Sequence, residues 1–152
     1  MAMKVPPDFG IDDNALTSVT VPNDLRAVKG PEGRIMAALK RYGYHKDTTF
    51  AIKLAFEEAV TNAVKHGNCK DRSKQVHMRY YVDRHRVIIM VRDEGCGFQP
   101  EKVPDPTADE NLERPCGRGI MLMAAYMTKL RYSENGREVW MLKENPANGG
   151  GS

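Results

Sequence analysis

Residues 54–68 read LAFEEAVTNAVKHGN and carry the clearest helical pattern in the chain. Its apolar residues recur at spacings of three and four, which is typical of a helix with one buried face. Glu58, Asn62 and His66 stand four residues apart, so on a helix they form one polar stripe beside small alanines. The pattern predicts a helix that begins at Asp47 and runs to about His66.

The polar stripe has two interpretations. The carboxylate of Glu58 can accept a proton, and the amide oxygen of Asn62 can bind a hard cation such as Mg²⁺. An ordinary amphipathic helix, with polar residues on its solvated side, has the same spacing. The stripe alone therefore leaves both interpretations open.

A second stretch, VRDEGCGF at residues 91–98, follows a strongly apolar segment. Asp93, at the predicted end of a strand, can accept a hydrogen bond from an exocyclic amine. Gly95 and Gly97 let the backbone turn sharply and approach a flat ligand closely. A charged turn without a ligand has the same composition.

A third stretch, RPCGRG at residues 114–119, precedes a predicted helix. Gly117 and Gly119 would expose backbone N–H groups at the positive end of the helix dipole, where phosphate binds readily. Arg114 and Arg118 could add charge-assisted bonds to the same phosphate. A glycine pair before a helix is also common without any ligand.

Turn residues divide the remaining chain into further elements. Gly43 ends a predicted helix in which Gly30-Pro31 is a defect. Because proline removes a backbone donor, this helix either kinks at Gly30-Pro31 or begins only there. Residues 94–118 have no usable periodicity and are interpreted as a functional lid. The other predicted elements are a strand over 16–21, a helix from 23 or 24 to about 42, strands over 75–82 and 86–93, a helix over 119–127, and a hairpin of 129–133 with 137–142.

This order of elements predicts an α+β fold. We expect a two-layer α/β sandwich with a mixed, mainly antiparallel sheet that carries its helices on one face. A single domain is expected over residues 15–144, with a flexible N-terminal arm over 1–14 and a flexible tail over 145–152.

Composition excludes several classes of protein. With 41% hydrophobic residues and a net charge of +3, the chain of 152 residues is neither disordered nor basic enough to indicate nucleic acid as a direct partner. Its longest apolar run, residues 87–91, is too short to span a membrane, and no secretory signal precedes the domain. The three cysteines form no CxxC pair, so we expect free thiols in a reducing cytoplasm.

Taken together, the three stretches resemble the Bergerat-type ATP site of the GHKL superfamily. Over residues 16–143 the chain is most similar to the anti-sigma-factor serine/threonine kinases. The resemblance implies ATP and Mg²⁺ as cofactors. It implies that Glu58 is the catalytic base, that Asn62 coordinates Mg²⁺ and that Asp93 binds the adenine amino group. Glu57 is the less favoured base, because it is not in line with Asn62.

The resemblance also assigns the glycines and one histidine. Gly95 and Gly97 match the glycines that shape the adenine pocket. Gly117 and Gly119 match those at the end of the lid beside the phosphates. His66 occupies the family's usual position before a glycine, where a structural role is equally expected.

The partners follow from the same resemblance. They are an anti-sigma-factor antagonist as protein substrate, a sigma factor, and a second copy of the chain in a homodimer. Arg34 matches, loosely, an arginine that family members direct towards their substrate. A small GHKL-type ATPase and a non-catalytic ATP-binding regulatory protein stay open as alternatives.

Overall fold

The computed structural model describes residues 4–68, 71–95, 125–133 and 136–146. In these ranges the strands are β1 (Thr17–Pro22), β2 (Gln75–Val82), β3 (Arg86–Arg92), β4 (Lys129–Ser133) and β5 (Glu138–Glu144). The α-helices are α1 (Lys29–Arg41) and α2 (Lys46–Thr61), and α2 continues into a π-helical turn (Asn62–Gly67). Short 3₁₀ helices cover Pro7–Phe9, Asp13–Ala15 and Leu25–Val28.

The five strands form one sheet in the order β1-β2-β3-β5-β4. Every pairing between these strands is antiparallel, so the part of the sheet that the structure describes is antiparallel rather than mixed. The predicted α+β architecture, with the helices packed on one face, is confirmed. The predicted hairpin is confirmed as β4 paired with β5.

The central strand β3 is buried on both faces, as its apolar sequence predicts. Val87, Ile89 and Val91 pack into the main core with α1 and α2. Ile88 and Met90 point to the opposite face and belong to a second, smaller cluster. The alternation of strand side chains therefore builds two cores from one strand.

The N-terminal segment covers that opposite face of the sheet. The sequence predicts a flexible arm over residues 1–14, but the described part of it packs on the sheet. Phe9 is 1% exposed, and its ring meets that of Trp140 edge to face, with centroids 6.5 Å apart. The carbonyl of Asp8 also accepts a 2.8 Å hydrogen bond from Lys129 Nζ. A segment without periodicity can bury single apolar side chains, which pattern analysis does not detect.

The first long helix begins beside Gly30-Pro31, the later of the two starts that the sequence allows. Asp24 accepts a hydrogen bond from the backbone N–H of Arg26, and this cap starts a 3₁₀ turn rather than the α-helix. The α-helix begins at Lys29, so Pro31 lies in its first turn, where backbone N–H groups have no intrahelical acceptor. Gly43 ends the helix with a φ of 78°, as predicted.

The second helix has the predicted extent but not a uniform geometry. His45 rather than Asp47 is the N-cap, because its Nδ1 accepts a hydrogen bond from the backbone N–H of Asp47. The last turn is π-helical, and Asn68 closes it by donating its backbone N–H to the carbonyl of Ala63 at 2.8 Å. The helix therefore changes geometry at Asn62, inside the predicted polar stripe.

Several predicted features lie outside the described residues. They are nearly all of the lid over 94–118, most of the helix over 119–127, the first two residues of the predicted Glu134-Asn135-Gly136 turn, and the tail from residue 147 on. Among the residues that the structure describes, no helix combines the length and the apolar character needed to cross a bilayer.

Candidate active site

The candidate site forms where the π-helical end of α2 meets the turn after β3. Gly67, the last residue of the π-helical turn, lies directly against the carboxylate of Asp93. A methyl group on Gly67 would overlap that carboxylate, and one on Gly95 would overlap the Gly67 carbonyl. Space therefore requires glycine at both positions, and their close approach joins two of the three predicted motifs.

Asp93 is a buried carboxylate with acceptor capacity to spare. It is 7% exposed, and its Oδ1 accepts a 2.8 Å hydrogen bond from the N–H of Gly95. Burial raises the pKa of Asp93 to about 6, although the Gly95 N–H and the charge of Arg137 oppose that rise. The group is ionised at neutral pH, and a carboxylate can accept more bonds than this one, so a ligand N–H can still bind.

Asn68 is a buried residue of this corner that sequence analysis did not single out. It is 0% exposed, and its Oδ1 accepts a 2.7 Å hydrogen bond from the backbone N–H of Glu94. Its Nδ2 donates to Asn23 Oδ1 at 3.0 Å and to the carbonyl of Gln75 at 3.1 Å. The sequence marks this asparagine only as the residue after a helix-ending glycine. Two of its three partners, Asn23 and Glu94, lie far away in the sequence, so no local pattern could identify them.

Glu58 and Asn62 lie on the helix that ends at Gly67. Both are half-buried, Glu58 in the last turn of α2 and Asn62 at the start of the π-helical turn. A π-helical turn holds more residues than an α-helical one and is frequent at functional sites. The side chains after Asn62 therefore point in directions that an uninterrupted helix would not give, and His66 is exposed at the end of the turn.

Glu57, the neighbouring glutamate, is engaged with α1. Its carboxyl lies near that of Glu32, which is 6% exposed and whose Oε1 lies 3.5 Å from Lys29 Nζ. Burial and then the Glu57 carboxyl raise the pKa of Glu32. Glu57 therefore faces the contact between α1 and α2.

Arg34 is the one remaining predicted site residue that lies within the described ranges. Arg34 has an exposed side chain on α1. The following residues lie outside the described ranges: Gly97, Arg114, Gly117, Arg118 and Gly119.

Comparison with known families adds an independent finding to this geometry. Residues 21–143 match the family model described as the histidine kinase-like ATPase domain. The chain belongs to this family. Its helix end and aspartate turn are therefore elements of a histidine kinase-like ATPase domain, and the resemblance predicted from the three motifs is confirmed.

Similar proteins of this family include named kinases and anti-sigma factors. The chain is 33% identical over 99 residues to a serine-protein kinase RsbW of Bacillus subtilis, a match that covers 60% of this chain and 61% of that protein. It is 32% identical over 112 residues to the RsbW of Bacillus licheniformis, covering 68% and 69%. It is 35% identical over 101 residues to an anti-sigma F factor of Clostridium perfringens, covering 64% and 71%. The match thus spans about three-fifths of the first of these relatives.

Proposed function

We propose that this chain is an ATP-binding serine/threonine-protein kinase that phosphorylates an anti-sigma-factor antagonist and sequesters a sigma factor. The contact between Gly67 and Asp93 carries the proposal, because it joins the helix of Glu58 and Asn62 to the turn expected to bind adenine. The names of the similar proteins support the kinase and sigma-factor parts.

Asp93 would recognise the base of the nucleotide. Its ionised carboxylate accepts a hydrogen bond from the adenine 6-amino group, and burial strengthens that bond by excluding water. Gly95, packed on the carbonyl of Gly67, leaves room for a flat ring beside the backbone.

Asn62 would hold Mg²⁺ through its amide oxygen. Among the described residues there is no group of three or more acidic, histidine or cysteine side chains that could cage a metal. Magnesium in phosphoryl-transfer sites keeps several waters and binds one or two protein oxygens together with substrate phosphates, so a single amide oxygen fits it. When bound, Mg²⁺ would neutralise charge on the phosphates.

Glu58 would act as the catalytic base. It lies one helical turn before Asn62, on the half-buried side of α2, where it can accept the proton of an incoming serine or threonine hydroxyl. We further propose, from the family resemblance, that Arg114, Gly117, Arg118 and Gly119 contact the phosphates. Gly97 would extend the adenine pocket, and His66 would support the helix end.

A phosphoryl-transfer assay tests the proposal. The chain, Mg-ATP and a purified cognate antagonist are mixed, and the phosphorylated residue is mapped by mass spectrometry. We expect transfer to a serine or threonine, and a higher melting temperature of the chain with Mg-ATP. Glu58→Gln should slow transfer by about 100-fold or more while the nucleotide-dependent rise in melting temperature persists.

Glu57→Gln is the matched control, because it changes the adjacent glutamate and can still bond to Glu32. It should retain transfer at close to the original rate. Loss of transfer in the Glu57 variant with retention in the Glu58 variant would reverse the assignment. ATP hydrolysis without antagonist phosphorylation would favour a plain ATPase, and no nucleotide-dependent shift would refute the proposal altogether.

The protein partners can be tested separately from the chemistry. We propose that exposed Arg34 contacts the antagonist and that the chain is a homodimer. Arg34→Ala should then slow transfer to the antagonist while leaving the affinity for ATP unchanged. A monomeric mass by light scattering would refute the dimer. A sigma-factor partner would place the activity in the cytoplasm.

A further inference from the structure

The turn that carries Asp93 is hydrogen-bonded to the rest of the fold through the next residue, Glu94. The backbone N–H of Glu94 donates to Asn68 Oδ1 at 2.7 Å, and that amide is fully buried. Among the described residues, the Asp93 side chain accepts a hydrogen bond from Gly95 alone, two residues away in the same turn. The direction of its carboxylate therefore depends on how firmly the whole turn is held.

The side chain of Glu94 makes further hydrogen bonds that hold the turn in place. Its Oε1 accepts a 3.0 Å hydrogen bond from the backbone N–H of Gln75, the first residue of β2. Its Oε2 lies 2.7 Å from Nε2 of His77, whose Nδ1 lies 3.0 Å from the hydroxyl of Thr20 on β1. The bond to His77 lowers the pKa of Glu94, so this carboxylate stays ionised at neutral pH. The turn is thus tied to the first two strands of the sheet.

We propose that Asn68 and Glu94 are positioning residues that fix the Asp93 carboxylate and thereby set the preference of the site for a purine with a 6-amino group. The proposal rests on the proposed function, in which Asp93 binds adenine. Discrimination by a hydrogen bond requires an acceptor held in one place, because a mobile acceptor can turn to solvent when the ligand lacks the donor.

The chemistry of Asn68 explains why an amide serves here. Its oxygen accepts from the Glu94 N–H while its nitrogen donates to Asn23 and to the carbonyl of Gln75. Both amide protons and the oxygen are used, so the side chain has one orientation. A buried amide whose oxygen and both protons are hydrogen-bonded can hold the aspartate turn in one position relative to the end of α2.

The test compares two nucleotides that differ only in the 6-amino group. The full chain is titrated with Mg-ATP and with the Mg complex of purine riboside triphosphate, and the ratio of the two dissociation constants is the readout. We expect Asn68→Ala to reduce the preference for ATP by about 10-fold, the effect of losing one well-placed hydrogen bond. Binding of the analogue should change far less, since it makes no bond to Asp93.

Asn145→Ala is the matched control. Asn145 is also 0% exposed, and its Nδ2 donates to the carbonyl of Arg84 at 2.9 Å, but it lies at the opposite end of β3, roughly 20 Å along the strand. A general loss of stability should be similar in both variants, while only the Asn68 variant should lose nucleotide preference.

Glu94→Gln keeps the proposal testable if Asn68→Ala does not fold. Its side chain is partly exposed, and the neutral amide weakens the bond to His77, so we expect the preference to fall by about 3-fold. An unchanged ratio in this variant, or in a folded Asn68→Ala, overturns the inference and leaves the proposed function standing. A wild-type chain that binds no ATP overturns both.

Discussion

Two aspartates stand at the two ends of β3 and have opposite environments. Asp83, before the strand, accepts hydrogen bonds from the hydroxyl of Tyr81 at 2.7 Å and from the backbone N–H groups of His85 and Arg86 at 2.7 and 2.8 Å. Asp93, after the strand, accepts a hydrogen bond from Gly95 alone among the described residues. Asp93 is also the more deeply buried of the two, so burial and the number of donors together separate the behaviour of the two carboxylates.

The acidity of the two groups reflects this difference. Burial alone would raise the pKa of Asp83, but its bonds to Tyr81 and to backbone N–H groups hold that pKa below the usual value. Burial raises the pKa of Asp93 to about 6, and its single bond does not compensate. A carboxylate whose partners are all within the protein stabilises a turn, whereas one with spare acceptor capacity is available to a ligand.

The largest effect is expected where space is tightest, at the Asp93 end. Gly67→Ala places a methyl group on the Asp93 carboxylate and should weaken ATP binding by about 100-fold or more, as measured by calorimetry. Gly33→Ala is the matched control, since nothing lies within 4 Å of the added methyl group on α1. ATP binding retained within about 3-fold in the Gly67 variant would show that this contact does not define the site.

A substitution of Asp83 should lower the stability of the protein and leave its affinity for ATP unchanged. Asp83→Ala removes the acceptor of three donors and should lower the free energy of unfolding by about 2 kcal/mol, measured with urea at pH 7. Because the folded pKa lies below 3.8, this contribution is present above about pH 4 and is lost as the pH falls through the folded value. A change in ATP affinity without a change in stability would contradict the comparison.

The contribution of Asp93 to stability should depend on pH in the opposite direction. Its pKa of about 6 lies above 3.8, so its contribution to stability is complete at low pH and is lost as the pH rises through about 6. ATP needs the ionised form, so affinity should fall by about 10-fold between pH 7.5 and pH 5. Purine riboside triphosphate has the same phosphates but no 6-amino group, so it serves as the control. An equal fall in affinity for both nucleotides would refute the role of Asp93.

The smallest effect concerns the buried carboxyl of Glu32 between the helices. Glu32→Gln removes a charge that burial and the nearby Glu57 carboxyl disfavour, so it should raise the free energy of unfolding at pH 8 by about 1 kcal/mol. Because the pKa of Glu32 is raised, the native contribution is complete below pH 4.5 and is lost as the pH rises through the folded value. Thermal unfolding at pH 5 and pH 8 checks this, and an equal gain at both values would argue against a raised pKa of Glu32.

Much of the fold could be predicted because it depends on local pattern. The apolar residues of β3 indicated a central strand, and the three- and four-residue spacing of apolar residues in 54–68 indicated a helix of the right length. The sequence alone did not choose between two starts for α1. Asp24 caps a 3₁₀ turn, and the α-helix begins only at Lys29, since Pro31 is compatible with a first turn but not with a helix interior.

Part of the candidate site is recognisable in the sequence for the same reason. Asp93 and Gly95 form a recognisable motif, but the roles of Asn68, Glu94 and His77 follow from bonds between residues far apart in sequence. No periodicity or spacing encodes such partners.

By itself the sequence determined which residue types could do chemistry, because charge, amide groups and missing side chains are properties of single positions. It also determined the helices and strands that carry them, because hydrophobic periodicity is local. Only the tertiary structure decided that Gly67 closes against Asp93, that Asn68 holds the turn after β3, and that Asp83 and Asp93 differ in acidity. The burial of a group and the number of hydrogen-bond donors around it depend on which segments meet in space. A sequence pattern does not show which distant segments meet.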